Sequence, residues 1–211
     1  MVLSLFDLVK EYEFLRNYLL TVSTIYLSLF IAYYSVRLLF PFIIRQNFFS
    51  DLILSFDRFF KYLPGIVSAM ILIIWFPNSE YTAIIFAYLI TFNSLAHISK
   101  ASHESLDNSY NDMLKTFGIK ESTIARKVLW KAIQPNLIEH IKYLNIYVWA
   151  SVIIFELINL RAGIGKLLRQ ILDYNDLSAL ITCFIIIGSS IYISTLMLNF
   201  IKRKFFFWEV K

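Results

Sequence analysis

Glu156 is a carboxylic acid set inside the otherwise apolar run YLNIYVWASVIIFELINL. Placing such a group in hydrocarbon is costly unless it meets water, a donor or a cation, so an intramembrane carboxylate points to a functional site. A structural role, accepting bonds from the backbone around Gly163 and Gly165, is the alternative, and the residues leave both open. A few residues on, Gly163-Ile164-Gly165-Lys166 invites a phosphate-loop reading. That motif needs a glycine ahead of the Gly-Lys pair and Ser or Thr behind it. Leu160 and Leu167 stand there instead, so no ATP site is expected in this chain. His103, Glu104 and Asp107 (HESLD) come close to a helical zinc-protease signature, with Asp107 where the second histidine belongs and no glycine-marked third ligand after it. His97 and His140 flank the polar middle of the chain as interfacial polar groups, and no Ser, His and acid arrangement emerges.

The elements that must carry these residues are membrane helices. Of the 211 residues 58% are hydrophobic and only 17% charged, and glycine and proline number five and four. Mean hydropathy is +0.63. This excludes an ordinary soluble domain and describes an all-α integral membrane protein. The net charge of +5 fits cytoplasmic faces near anionic headgroups, and no nucleic-acid signature accompanies it. Cys183, the single cysteine, lies in an apolar run, so neither a disulfide framework nor a cysteine metal site is expected. Residues 1–17 read as an amphipathic interfacial segment without the layout of a signal peptide.

With about 20 apolar residues to one crossing, five spans are expected. They lie at 18–40, stopped by Pro41; at 62–76, short and opened by Pro64 and Gly65; and at 81–98, 141–160 and 179–201. A polar connector, RAGIGKLLRQILDYNDLS, separates the last two. Lys202, Arg203 and Lys204 directly after the fifth span place the C-terminus in the cytoplasm by the positive-inside rule. Counting back puts the polar stretch 102–142 in the cytoplasm and the N-terminus outside. Glu156, about 21 residues beyond Pro135 and so roughly 30 Å along a helix, then lies towards the outer side.

The stretch 102–142 has helical periodicity in two runs, Leu106, Tyr110, Met113, Leu114 and Phe117, then Ile124, Val128, Leu129 and Ile133. Gly118 suits the turn between them, Asp107 and Ser122 can cap the two helices, and Pro135 ends the pair. Lys120, Glu121, Arg126, Lys127 and Lys131 gather on and before the second helix. Such a hairpin is either a solvated amphipathic loop or a docking element.

Taken together, these spacings resemble the permease subunits of binding-protein-dependent ABC importers of the nitrate, sulfonate and taurine class, which have the MetI-like fold. The resemblance runs from about residue 62 to the C-terminus. Family members write a cytoplasmic Glu-Ala-Ala, three residues, then Gly; here Asp112, Met113 and Leu114 occupy the triplet and Gly118 the glycine, with Val128 and Pro135 at the family's intervals. Pro64 to Trp75-Phe76 resembles a proline-led helix ending in Trp-Phe-Gly, with Pro77 in place of the glycine. Lys142, Trp149, Glu156 and then Gly163-Ile164-Gly165 match features of sulfonate-type members, whereas Lys131 stands where proline is usual.

The resemblance implies that the 107–135 hairpin couples to a separate ATPase subunit through Asp112, Met113, Leu114, Gly118, Ile119, Lys120, Arg126 and Pro135. It implies a translocation pathway or gate at Pro64, Glu156, Gly163 and Gly165 within a permease domain, residues 18–211. Implied partners are the ATPase that binds the ATP, a second permease copy, a solute-binding protein and the lipid of a bacterial inner membrane. No cofactor or metal belongs to the chain itself on this reading, and a further helix ahead of the first span is usual. A membrane scaffold, and a metallohydrolase built on His103, Glu104 and Asp107, are the competing readings.

Overall fold

The computed structural model describes residues 12–44, 51–52, 55, 58, 65–77, 81–106 and 121–206. A chain in lipid must satisfy its backbone N–H and C=O groups within each segment, and the apolar runs accordingly form helices. These are α1 (Phe14–Ile43), α2 (Gly65–Trp75), α3 (Thr82–Glu104), α4 (Trp130–Asn159), α5 (Ile164–Asp173) and α6 (Leu177–Phe205). The described residues contain no strand. Among the described residues four helices are long and apolar enough to cross a membrane, α4 being extended at its start by a π-helical stretch into one rod, Ala125–Asn159. The short span expected at 62–76 is the shorter apolar helix α2.

Side-chain contacts fix the directions. Late α1 meets late α3 and the start of α4, where the Phe40 ring lies 6.2 Å from His103 and 5.2 Å from Trp130. Early α3 meets late α4 through stacked Phe86 and Phe155 at 4.9 Å. Helices α1 and α3 therefore run parallel, and α4 runs against both. Helix α6 also runs against α4 along a polar seam: Asn145 donates to Ser194 at 2.8 Å and Lys142 donates to Asn199 at 2.9 Å. Glu139 closes the seam between Lys142 at 2.6 Å and Lys202 at 3.0 Å. Within the apolar window of each helix, 44% is buried for α3 and for the α4 rod but 17% for α6. So α3 and α4 form the centre, while α6 shows Phe184, Ile185, Tyr192, Met197 and Phe200 outward.

Several boundaries differ from the sequence expectation. Pro41 does not stop α1, which continues to Ile43, with the Ile44 N–H bonding the Phe40 carbonyl at 3.1 Å. A proline this close to the C-terminal end removes a single ladder bond, which a packed membrane helix tolerates. Pro135 likewise does not end the second hairpin helix. It lies buried inside α4, and the helical turn Glu121–Ile124, the π stretch Ala125–Leu129 and α4 follow one another without a break. Burial of Ile133, Pro135 and Leu137 on both sides of the proline outweighs one lost bond. Ser122 falls within the helical turn and not ahead of it. The first hairpin helix and its turn, including Asp107 and Gly118, lie outside the described residues.

The polar connector before α6 is not a loop, because its middle forms α5. Ile164, Leu167, Leu168 and Ile171 bury one face of that helix while Arg169, Leu172 and Asp173 stay exposed. Leu160, in the left-handed region at φ 56°, ends α4 and turns the chain into it. Asp176 then caps α6 by accepting from the Ala179 N–H at 3.0 Å.

Candidate functional site

Where α1 begins and α4 ends, three chain segments meet on buried polar atoms. Asn17 and Thr21 are one turn apart on α1, so their side chains share a face, and both are buried. Glu156, 4% exposed, projects from the last turn of α4 towards them. The third segment is the start of α5, whose first backbone N–H groups have no partner within their own helix.

Each of those amides is met from another element. The Gly163 N–H donates to Asn17 Oδ1 at 3.0 Å, the Ile164 N–H to Thr21 Oγ1 at 2.8 Å, and the Gly165 N–H to Glu156 Oε2 at 3.1 Å. The Thr21 hydroxyl lies 2.8 Å from both Glu156 oxygens and donates to the carboxylate while accepting from Ile164. A carboxylate at a helix N-terminus also sits at the positive end of the peptide dipoles, which compensates a charge placed among apolar side chains. The structural alternative for Glu156, acceptance from the backbone around Gly163 and Gly165, is thus what the geometry displays. Because protein acceptors occupy all three amides, none of them faces a phosphate.

The two glycines are required by this approach. Gly163 has φ +99°, a region side chains rarely adopt, and a methyl group added there would overlap the Glu156 carboxyl group. At Gly165 a methyl group would overlap the Ile153 carbonyl and the Leu157 amide of α4. Arg161 ties the same end together from outside by donating to the Pro77 carbonyl after α2.

Of the residues expected to form a pathway or gate, the fold brings Glu156, Gly163 and Gly165 together, while Pro64 lies outside the described residues. Of the expected coupling residues, Asp112, Met113, Leu114, Gly118, Ile119 and Lys120 also lie outside them. Arg126 is exposed on the π stretch and Pro135 is buried in α4, both far along the rod from Glu156. His103 closes α3 with its ring edge-on to Phe40, and no group of three or more His, Cys, Asp or Glu able to hold a metal occurs among the described residues. The sequence reading missed Asn17 and the pairing of Thr21 with Glu156. Its signal was polar side chains one turn apart on an apolar helix.

Comparison with known proteins agrees with this architecture. The family model described as "binding-protein-dependent transport system inner membrane component" matches residues 28–206. A probable ABC transporter permease protein of Brucella melitensis biotype 1 is 25% identical over 138 residues, covering 65% of this chain and 56% of that protein. One from Brucella abortus strain 2308 is also 25% identical over 138 residues, with 65% and 55% covered. The matched part of the chain spans about half the length of these curated relatives. Among solved structures, an inward-facing form of the MetNI methionine ABC transporter superposes with a TM-score of 0.72 at 16% identity, over 89% of this chain and 93% of that one. That likeness is one of fold: a MetI-like helical bundle. With a family match that takes in about half of α1 and all of α2 to α6, this chain belongs to the inner membrane components of binding-protein-dependent transport systems.

Proposed function

We propose that this chain is the membrane-spanning permease subunit of an ATP-driven importer, carrying a small polar solute handed over by a separate binding protein. The observation that carries the reading is the family match over residues 28–206, which takes in the 102–136 stretch as well as the bundle. Two copies would line the pathway between them, and the ATP would be bound and hydrolysed by a partner subunit. Importers of nitrate, sulfonates and taurine are the class that the sequence motifs favour.

On this reading the coupling element is the 107–135 segment, facing the cytoplasm with the C-terminus, in a bacterial inner membrane. Asp112, Met113, Leu114, Gly118, Ile119, Lys120 and the exposed Arg126 would meet the ATPase. Pro135, buried in α4, would act by shaping the rod and not by touching the partner. Exposed Arg126, Lys127 and Val128 sit opposite buried Ile124, Ala125 and Leu129, so the π stretch has one face for the bundle and one for a partner. A rigid rod from this stretch to Glu156 would carry motion of the coupling end to the other end of the bundle. Nucleotide would thereby bias an inward-open against an outward-open state. Glu156, Gly163 and Gly165 would form the gate at the far end, with Pro64 assigned to the same pathway by the sequence motif alone.

The test is reconstitution with the ATPase and binding protein encoded alongside it. Gly118→Asp and Asp112→Lys are expected to abolish uptake while the permease still inserts into the membrane. Full uptake by both variants would remove the coupling role. An ATPase rate indifferent to binding protein and solute would favour a scaffold instead.

A further inference from the structure

A cavity of about 360 Å³ opens beside the Glu156 cluster, lined by Arg16, Leu20, Thr24, Asn159 and Arg161, with Glu156 in its wall. The size is that of a small-molecule site. Its polar equipment is lopsided. Two guanidinium groups, the Asn159 amide and the Thr24 hydroxyl can all donate. Among the described lining residues the one carboxylate, Glu156, is already engaged by the Thr21 hydroxyl and the Gly165 N–H, and is 4% exposed. Arg161 donates to the Pro77 carbonyl, which anchors it at the rim. Arg16 pairs with Glu13 at 3.2 Å, but with side chains 75% and 67% exposed that contact is one water competes with readily. Leu20, Ala83 and Ala162 supply an apolar wall beside the donors.

We infer that this cavity binds a small aliphatic oxyanion, a carboxylate or sulfonate head held by Arg16 and Arg161 with a short alkyl tail against Leu20 and Ala83. Planar guanidinium groups bond such heads in a bidentate manner, and Asn159 and Thr24 complete the shell of donors. Binding of the anion is a property of this chain alone. Its place on the route of the transported solute rests on the permease reading above.

The experiment uses purified full-length chain in detergent micelles, with trifluoroacetate and trifluoromethanesulfonate as fluorine NMR probes at constant ionic strength. Saturable broadening of the probe signals is expected, reversed by acetate and by methanesulfonate but not by ethylammonium. Arg16→Gln and Arg161→Gln are each expected to weaken binding about tenfold or more, the usual loss for a charge-assisted bond. Arg169→Gln removes an equal charge from the exposed face of α5, outside the cavity, and should leave binding unchanged. Among the described residues Arg16 makes only an exposed ion pair, so its variant decides the matter if Arg161→Gln fails to fold. Broadening that does not saturate, or that survives in Arg16→Gln at parental strength, overturns the site. A reconstituted complex that takes up no solute, while the isolated chain still binds the probes, would instead count against the permease reading.

Discussion

At the scale of single residues, the pivot is Thr21. Its one hydroxyl accepts from the Ile164 amide and donates to Glu156, so it joins α1, α4 and α5 through one oxygen. Replacing it with isosteric Val leaves a buried N–H without a partner and takes a donor from a buried carboxylate. The expected cost is about 2 kcal/mol, with Thr21→Ser close to the parent. Gly163→Ala should cost about 3 kcal/mol or more, since it combines a disfavoured φ with overlap on the Glu156 carboxyl group. Thermal unfolding of detergent-purified variants checks both, and an unchanged midpoint for Thr21→Val would show that the hydroxyl bears no such burden. Part of this cluster was legible beforehand. A carboxylate in an apolar run and a Gly-X-Gly shortly after it are local signals, and they suggested backbone acceptance. Asn17 and Thr21 were not tied to it, because a partner some 140 positions away leaves no periodic trace.

At the scale of elements, the α4–α6 seam shows how polar side chains hold membrane helices together when lipid is as apolar as the core. Asn145 donates to Ser194, but its Oδ1 is buried with no hydrogen-bond partner among the described residues. Removing the whole amide therefore loses one bond and also one orphaned acceptor, whereas removing only the serine hydroxyl leaves the amide unmet at both ends. Asn145→Leu is expected to change stability by about 1 kcal/mol or less, and Ser194→Ala to cost more than that. The reverse order in a denaturation series would contradict this account. Element boundaries were the least legible feature. Pro41 and Pro135 read as stops because a proline removes a donor, yet both lie inside helices whose buried side chains continue past them. Helix α5 read as a polar connector because its exposed face carries Arg169 and Asp173. Its apolar face becomes meaningful only once α4 is there to cover it.

At the scale of the whole molecule, antiparallel packing of α4 against α1, α3 and α6 separates two ends. One carries the Glu156 cluster, the other the π stretch with Arg126 and the Glu139–Lys202 pair. On the proposed orientation, Arg169→Cys should react with a membrane-impermeant maleimide in intact cells and Arg126→Cys only after permeabilisation. The native background is low, since the one cysteine, Cys183, is fully buried. Labelling of Arg126→Cys in intact cells would invert the topology and remove the coupling role.

Composition and hydropathy by themselves determined that this is an all-α membrane protein with long spans and a polar stretch between the third and fourth, because transfer to lipid depends on runs of residue type that a sequence displays directly. Motif spacing, likewise linear, identified the kind of subunit. Tertiary structure alone decided that the second hairpin helix and the fourth span are one rod, that the last connector holds a helix, and that Glu156 meets Thr21 and three backbone amides meet side chains of other elements. Those outcomes depend on which buried surface covers a proline or a helix end, and that surface belongs to residues far away in the chain.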